Sequence, residues 1–463
     1  MYYGDTISAI STPIGEGGIS IIRISGEAAF NIIEKVFSKN RIKDKIFNIS
    51  EINSHTLHFG YIFDNNELID EVIISIFKNP NSYTGEDVIE ISSHGSVLVS
   101  RKILNTVLKN GVRLAEPGEF TKRAFLNKRI DLAQAEAVAD LIKSKTDIAH
   151  KSSLQQLEGE LSEFVKKTRE DIINFTSLVE LELDFAEENL EFVPKKELKN
   201  KISNLANSIE QIINTYITGK IIRDGINVVI AGRPNSGKSS LFNFLLSSDR
   251  AIVSNVSGTT RDYIEENIII NGVLFNLIDT AGIRNTQDEI ETEGIKRSFI
   301  KIEEADLILY LIDTSNSKTE IIEELNNFNS NLSNTKTLLV FSKSDLAKKD
   351  ILTKFSKKEG ITVSLLKADS IENLRKEMVK KIQITDIRKN YDGIILTNIR
   401  HKVCLENVIK SLRESVKSLD ANLSGEFISV DLRNALNYLG EITGEVTNED
   451  ILRNIFQNFC IGK

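Results

Sequence analysis

The sequence predicts a multidomain protein: an α+β N-terminal domain, a discontinuous α-helical domain, and an α/β P-loop domain inserted into the helical one. Three observations predict this. Strand and helix patterns mix over residues 1–124. Helical spacing fills 125–222 and returns over 386–463. Between them, over 223–385, strands and helices alternate around Gly232-Arg233-Pro234-Asn235-Ser236-Gly237-Lys238-Ser239. At 463 residues the chain is also too long for one ordinary core.

In the N-terminal part, β-branched content and alternation predict strands at Asp5–Ile10, Gly18–Ile24, Thr56–Phe63, Glu71–Phe77 and Asp87–Ser92. Helical spacing predicts helices at Glu27–Phe37 and Ser96–Lys109. From Asp131 to Phe192 there is one glycine, Gly159, and no proline, and apolar residues recur at helical spacing. That predicts long amphipathic helices, with Pro194 closing one and Lys195–Ile217 opening another. Strands are expected next at Val228–Ala231, Val273–Ile278, Leu307–Ile312 and Thr337–Phe341. Helices are expected again at His401–Leu419 and Asp431–Leu439.

Composition excludes several classes. Hydrophobic content of 41% and charged content of 27% suit a soluble globular protein. A net charge of −8 argues against coating nucleic acid by bulk electrostatics, although a local basic patch stays open. The two cysteines, Cys404 and Cys460, give no disulfide framework and suit a reducing, cytoplasmic setting. The five histidines form no metal-ligand spacing. No signal pattern or long uncharged apolar run is present, so no membrane association is expected.

The motif at 232–239 fits G-x-x-x-x-G-K-[ST], with an apolar run before it and a helix-compatible run after it. Glycines let backbone N–H groups curl around phosphate oxygens, and the helix N-terminus adds positive potential. Lys238 can reach the β- and γ-phosphates, and the Ser239 hydroxyl can ligate Mg²⁺. Asp279-Thr280-Ala281-Gly282 follows an apolar strand, where Asp279 can hold the Mg²⁺ shell and the Gly282 N–H can meet the γ-phosphate. Thr260, within Ser257-Gly258-Thr259-Thr260, can complete Mg²⁺ coordination. In this order, these motifs specify a GTPase.

Ser342-Lys343-Ser344-Asp345 occupies the place of the base-reading Asn-Lys-x-Asp. Asp345 would accept from the guanine N1–H and amino group, which adenine cannot offer. Ser342 departs from the pattern, and the later Ser364-Leu365-Leu366 departs from Ser-Ala-Lys, so weaker guanine affinity is expected. Ile283 stands where signalling GTPases often place a water-orienting Gln. An arginine finger from a partner could offset the transition-state charge instead, and so could a bound monovalent cation ligated by Asn235.

With these residues in view, the chain resembles the MnmE (TrmE) family of tRNA wobble-uridine modification GTPases over essentially its whole length. Asp5-Thr6-Ile7, Gly17-Gly18-Ile19 and Arg23-Ile24-Ser25-Gly26 are similar to the family's opening. Ser82-Tyr83-Thr84-Gly85-Glu86-Asp87, Pro117 to Asn127 and Asp131 to Ala137 look like family signatures, and Cys460-Ile461-Gly462-Lys463 matches its C-x-G-K terminus.

The resemblance implies an N-terminal tetrahydrofolate-binding-like, dimerising domain. Arg23, Glu86, Arg129 and Lys463 would contact a 5-formyl- or methylene-tetrahydrofolate. It implies GTP contacts from Asn235, Ser236, Gly237, Lys238, Ser239 and Ser240; from Ser254, Asn255, Val256, Ser257, Gly258, Thr259 and Thr260; from Asp279, Thr280, Ala281 and Gly282; and from Lys343 and Asp345. K⁺ would be ligated by Asn235, Ser254, the Val256 carbonyl and Thr259, and Mg²⁺ by Ser239 and Thr260. Lys238 and Glu291 would be catalytic, Glu291 by orienting water. Implied partners are a second copy of the chain, an FAD-containing protein similar to MnmG in a heterotetramer, and tRNA. The product would carry a carboxymethylaminomethyl-type group at C5 of the wobble uridine. Two other readings stay open: a folate-dependent one-carbon transferase with a regulatory nucleotide domain, and a non-catalytic nucleotide-switched scaffold.

Overall fold

The computed structural model describes residues 4–42, 47–49, 51–184, 194–249, 265–279, 305–331, 336–348, 360–382, 393–447 and 449–463. They divide into two compact units. The first comprises Met1–Ala139, Gln156–Lys199 and Lys410–Lys463, and the second Asp140–Gln155 and Asn200–Ile409.

In chain order the first elements are β1 (Ile7–Ile10), β2 (Gly17–Ser25), α1 (Ala29–Val36), β3 (Phe37–Ser38), β4 (Thr56–Asp64), β5 (Glu67–Phe77), β6 (Val88–Gly95), α2 (Val97–Lys109), β7 (Arg113–Leu114) and α3 (Glu119–Leu126). The strands make a seven-stranded sheet in the order β3-β4-β5-β6-β2-β1-β7. Its pairs are antiparallel except β1 with β7. Alternation fixes which side chains turn inward. Ile22, Ile24, Ile74, Ile89 and Ile91 meet Ile32 and Ile33 of α1 and Ile103 and Val107 of α2 in one buried cluster.

Helices follow: α4 (Leu132–Lys143), α5 (Asp147–Glu158), α6 (Glu160–Asp184), α7 (Lys195–Asn214) and α8 (Tyr216–Asp224). The stretch read as long helices is therefore cut twice, at 144–146 and at Gly159, whose φ of 97° suits only glycine well. The helix expected over Lys195–Ile217 likewise breaks at Thr215.

Next come β8 (Ile226–Gly232), α9 (Lys238–Asp249), β9 (Glu265–Ile270), β10 (Val273–Asp279), β11 (Leu307–Asp313), α10 (Lys318–Asn331), β12 (Thr337–Ser342), β13 (Gly360–Thr362) and α11 (Ala368–Lys381). The sheet order is β13-β12-β11-β8-β10-β9. Its pairs are parallel except the edge pair β9 with β10. The near-continuous apolar strands suit a sheet buried on both faces. The chain closes with α12 (Ile399–Asp420), α13 (Gly425–Thr443) and α14 (Glu449–Phe456). No helix among the described residues is long and apolar enough to cross a membrane.

In the first unit, a charge network ties α3 to the chain start. Arg123 Nη2 pairs with Asp5 at 2.7 Å and with Glu119 at 3.1 Å, and Arg113 pairs with Glu119 at 2.6 Å. Burial works against the Glu119 charge. The bonds from Arg113, the Glu116 N–H and Arg123 outweigh it and hold this carboxyl below its ordinary value. Asp5 is held low in the same balance. Their stabilisation is complete above the ordinary values of 4.5 and 3.8 and is lost as pH falls through the depressed ones. Glu119→Gln is expected to cost about 3 kcal/mol near neutral pH. Urea titrations should also show a shallower acid loss than in the parent.

Candidate functional site

The carboxyl ends of β8, β11 and β12 build the site in the second unit. Strand order reverses on either side of β8, and ligands of open α/β sheets bind in the crevice at such a point. β8 ends at Gly232, with φ 142°. A side chain there would overlap the Leu311 carbonyl, so only glycine lets the loop leave the sheet so close to β11. Asn235 and Gly237 also take positive φ, 63° and 94°. Such reversals curl a backbone into a nest of N–H groups, and α9 begins at Lys238, adding its N-terminal dipole. Lys238 Nζ donates to the Gly232 carbonyl at 3.1 Å and the Arg233 carbonyl at 2.8 Å. Asn235, Ser239 and Ser240 are exposed, whereas Ser236 is buried. The exposed Asn235 and Ser239 offer uncharged oxygen donors, the type that suits K⁺ and Mg²⁺.

β12 delivers the next two residues. Ser342 is buried, and its Oγ lies 2.7 Å from the Ser236 carbonyl and 3.2 Å from the Ile312 carbonyl, with one proton to donate between them. Lys343, at φ 54°, donates from Nζ to the Asn235 carbonyl at 2.8 Å and to Asp313 Oδ2 at 2.6 Å. Both residues therefore fasten the phosphate loop to the ends of β11 and β12. Burial pushes the Asp313 carboxyl up, but the Lys343 ammonium and the bonds from Ser315 more than offset this and hold it below its ordinary value.

Asp345 follows on an exposed turn. Its Oδ1 accepts from Ser364 Oγ at 2.6 Å, and that bond holds the carboxyl below its ordinary value. A charged Asp345 is the state that accepts two donors from one base edge. The segment at 364–366 departs from Ser-Ala-Lys, yet it keeps the one hydroxyl that orients this carboxylate.

Asp313 was not singled out from sequence. An acid closing an apolar strand is its only signal. Ser254, Asn255, Val256, Ser257, Gly258, Thr259, Thr260, Thr280, Ala281, Gly282, Ile283 and Glu291 lie outside the described residues, as does the Asp279 side chain. The Asp279 backbone ends β10, paired with Ile230.

A second constellation lies in the first unit. The Arg23 guanidinium stands 5.0 Å from the Tyr83 ring centre and 5.5 Å from that of Phe120, and pairs with Glu90 at 2.7 Å. Its Nη1 is buried without a hydrogen bond. A buried donor of that kind is costly unless an acceptor reaches it, which fits an anionic ligand. Glu86 accepts from Ser25 Oγ at 2.7 Å and from Arg123 Nη1 at 3.2 Å. Asn127 Nδ2 donates to the Thr84 carbonyl at 2.7 Å, joining the Glu86 segment to the one carrying the exposed Arg129. Gly462, at φ 95°, sits against Ile10 and Ser11 too closely for any side chain. That seats Lys463 beside β1, whose Ala9 pairs with Arg23. Arg23 and Glu86 thus lie on neighbouring parts of this unit, with the Arg129 segment tied to the Thr84 loop and the 462–463 segment to the end of β1.

Residues 6–129 match the family model for the GTP-binding protein TrmE N-terminus, and residues 132–460 match the MnmE helical domain. The chain belongs to the MnmE (TrmE) family. It is 42% identical to the tRNA modification GTPase MnmE of Flavobacterium johnsoniae, over 99% of each chain. It is 44% identical to the MnmE of Clostridioides difficile, over 100% of each. The MnmE helical match brackets β8 to β13, as expected of a helical domain carrying an inserted P-loop domain.

Proposed function

We propose that this chain is a K⁺-dependent GTPase of tRNA modification. With an FAD-containing partner similar to MnmG, it would add a carboxymethylaminomethyl-type group at C5 of the wobble uridine. One observation carries the nucleotide half: Lys238 follows the end of β8, Lys343 and Asp345 follow the end of β12, and Lys343 is bonded to the Asn235 carbonyl of the phosphate loop. Full-length similarity to proteins named as tRNA modification GTPases supports the tRNA half.

In this reading Lys238 turns from the loop carbonyls to the β- and γ-phosphates, and the N–H groups of 235–240 hold the remaining phosphate oxygens. Asp345 reads the guanine edge. Asn235, Ser254, the Val256 carbonyl and Thr259 would hold K⁺, and Ser239 and Thr260 would hold Mg²⁺. These cations supply positive charge at the transferring phosphate. Glu291 would orient the attacking water. Arg23, Glu86, Arg129 and Lys463 would hold a tetrahydrofolate, which supplies the one-carbon unit. The chain would act in the cytoplasm as a homodimer, and as a heterotetramer with its partner.

The test is GTP turnover in K⁺ against Na⁺ at equal ionic strength. Turnover should be about tenfold or more faster in K⁺, since placing one charge at the transition state is worth at least that much. Equal rates would sink the cation assignment.

A further inference from the structure

Glu324 lies on α10, between Ile321 and Leu325 of an apolar cluster that also includes Ile312, Leu339 and Phe341. It is only 2% exposed, and its Oε1 makes no hydrogen bond. Its other oxygen stands 3.9 Å from Nε of Arg233, the second residue of the phosphate loop. A buried carboxyl with one oxygen unsatisfied costs stability and calls for an explanation. Nothing in the nucleotide reading uses it.

We propose that Glu324 is a positioning residue that acts on the phosphate loop through Arg233, and that binding of nucleotide phosphates is coupled to proton uptake by its carboxyl. Burial favours the neutral acid, and Arg233 opposes this. Among the described residues, the other charged or titratable groups that act on it or that it acts on are Lys238 on the loop and Tyr310 and Asp313 on β11, while the exposed Glu320 of its own helix acts on Arg233. A ligand's phosphates draw on the positive charge of Lys238 and Arg233 and add negative charge nearby. Both effects favour protonated Glu324. The bound-state pKa therefore exceeds the free-state one. Affinity is greatest below the free-state value and falls as pH rises through the bound-state value.

The inference rests on the nucleotide reading, and the test separates the two. Mg²⁺-GDP is titrated calorimetrically into the full chain at several pH values, in two buffers of different ionisation enthalpy. Glu324→Gln keeps the shape and removes the proton. The wild type should take up more protons than the variant, and its Kd should rise more steeply with pH. A tenfold difference in proton affinity between the free and bound states gives a tenfold difference across the window. Arg233→Met should move the wild-type inflection to higher pH, because the cation opposing protonation is gone. Parallel pH profiles and equal proton counts for wild type and Glu324→Gln would overturn the proposal while leaving the nucleotide reading intact. No GDP binding by the wild type at any pH would overturn both.

Discussion

Lys238→Ala should weaken GDP and GTP binding about a hundredfold and lower GTP turnover by at least as much again. The amine lies within the span of its own loop, 2.8 Å from the Arg233 carbonyl, so little movement carries it to a phosphate above the nest. Each hydrogen bond to a charged group is worth roughly 1.5–3 kcal/mol, so the bond to a β-oxygen, which GDP and GTP share, gives the binding loss, and a γ-oxygen bond adds to it in GTP. The turnover loss is separate. Charge builds on the transferring group and its leaving oxygen, and a fixed cation there contributes about a hundredfold or more. Folding should be spared, because the Gly232 and Arg233 carbonyls that lose the amine lie at a partly exposed loop where water can replace it. Titration with a fluorescent GDP analogue, alongside thermal melting, separates the two effects. Wild-type affinity in a normally melting variant would remove Lys238 from the site.

Much of this architecture is legible in the sequence, for physical reasons. The strands at Leu307–Asp313 and Thr337–Ser342 are buried on both faces, so their apolar runs announce them without alternation. β2, β5 and β6 alternate because one side meets α1 and α2. β3 and β7 have two residues each, too few for any period to show. The break at 144–146 has no glycine or proline to mark it. The loop at 232–239 is legible because phosphate binding dictates backbone conformation, and conformation dictates glycine. Ser342 shows the opposite case. Its sequence reading is a lost amide. Its Oγ nonetheless reaches the Ser236 carbonyl, so the loop-fastening half of the role survives. That distinction depends on a contact 106 positions away along the chain, which no local pattern encodes. Glu324 is likewise one acid among Glu320, Glu323 and Glu324 until packing separates it from the others.

Asp345→Asn should invert base preference: GTP affinity falls about a thousandfold, while xanthosine triphosphate gains. In the proposed reading the carboxylate would accept from two donors on the guanine edge. An amide offers one acceptor and one donor, so it meets the guanine amino group donor to donor. Xanthine carries a carbonyl there and accepts. A site built to hydrogen-bond a specific group rejects the analogue lacking it by about four orders of magnitude, which makes a thousandfold loss a moderate expectation. The Ser364 hydroxyl is the control. It now orients the carboxylate at 2.6 Å, and Ser364→Ala should cost about tenfold in GTP affinity without changing base preference, because the acceptor pair stays. Ser342→Asn tests the remaining departure. A longer side chain can keep the bond to the Ser236 carbonyl and still present an amide toward the base, so GTP affinity should rise several-fold while ATP binding stays flat. Competition of GTP, ATP and xanthosine triphosphate against one fluorescent GDP analogue reads all three variants. If Asp345→Asn kept guanine over xanthine, this carboxylate would not be the base reader, and the Ser364 bond would be a feature of the turn alone.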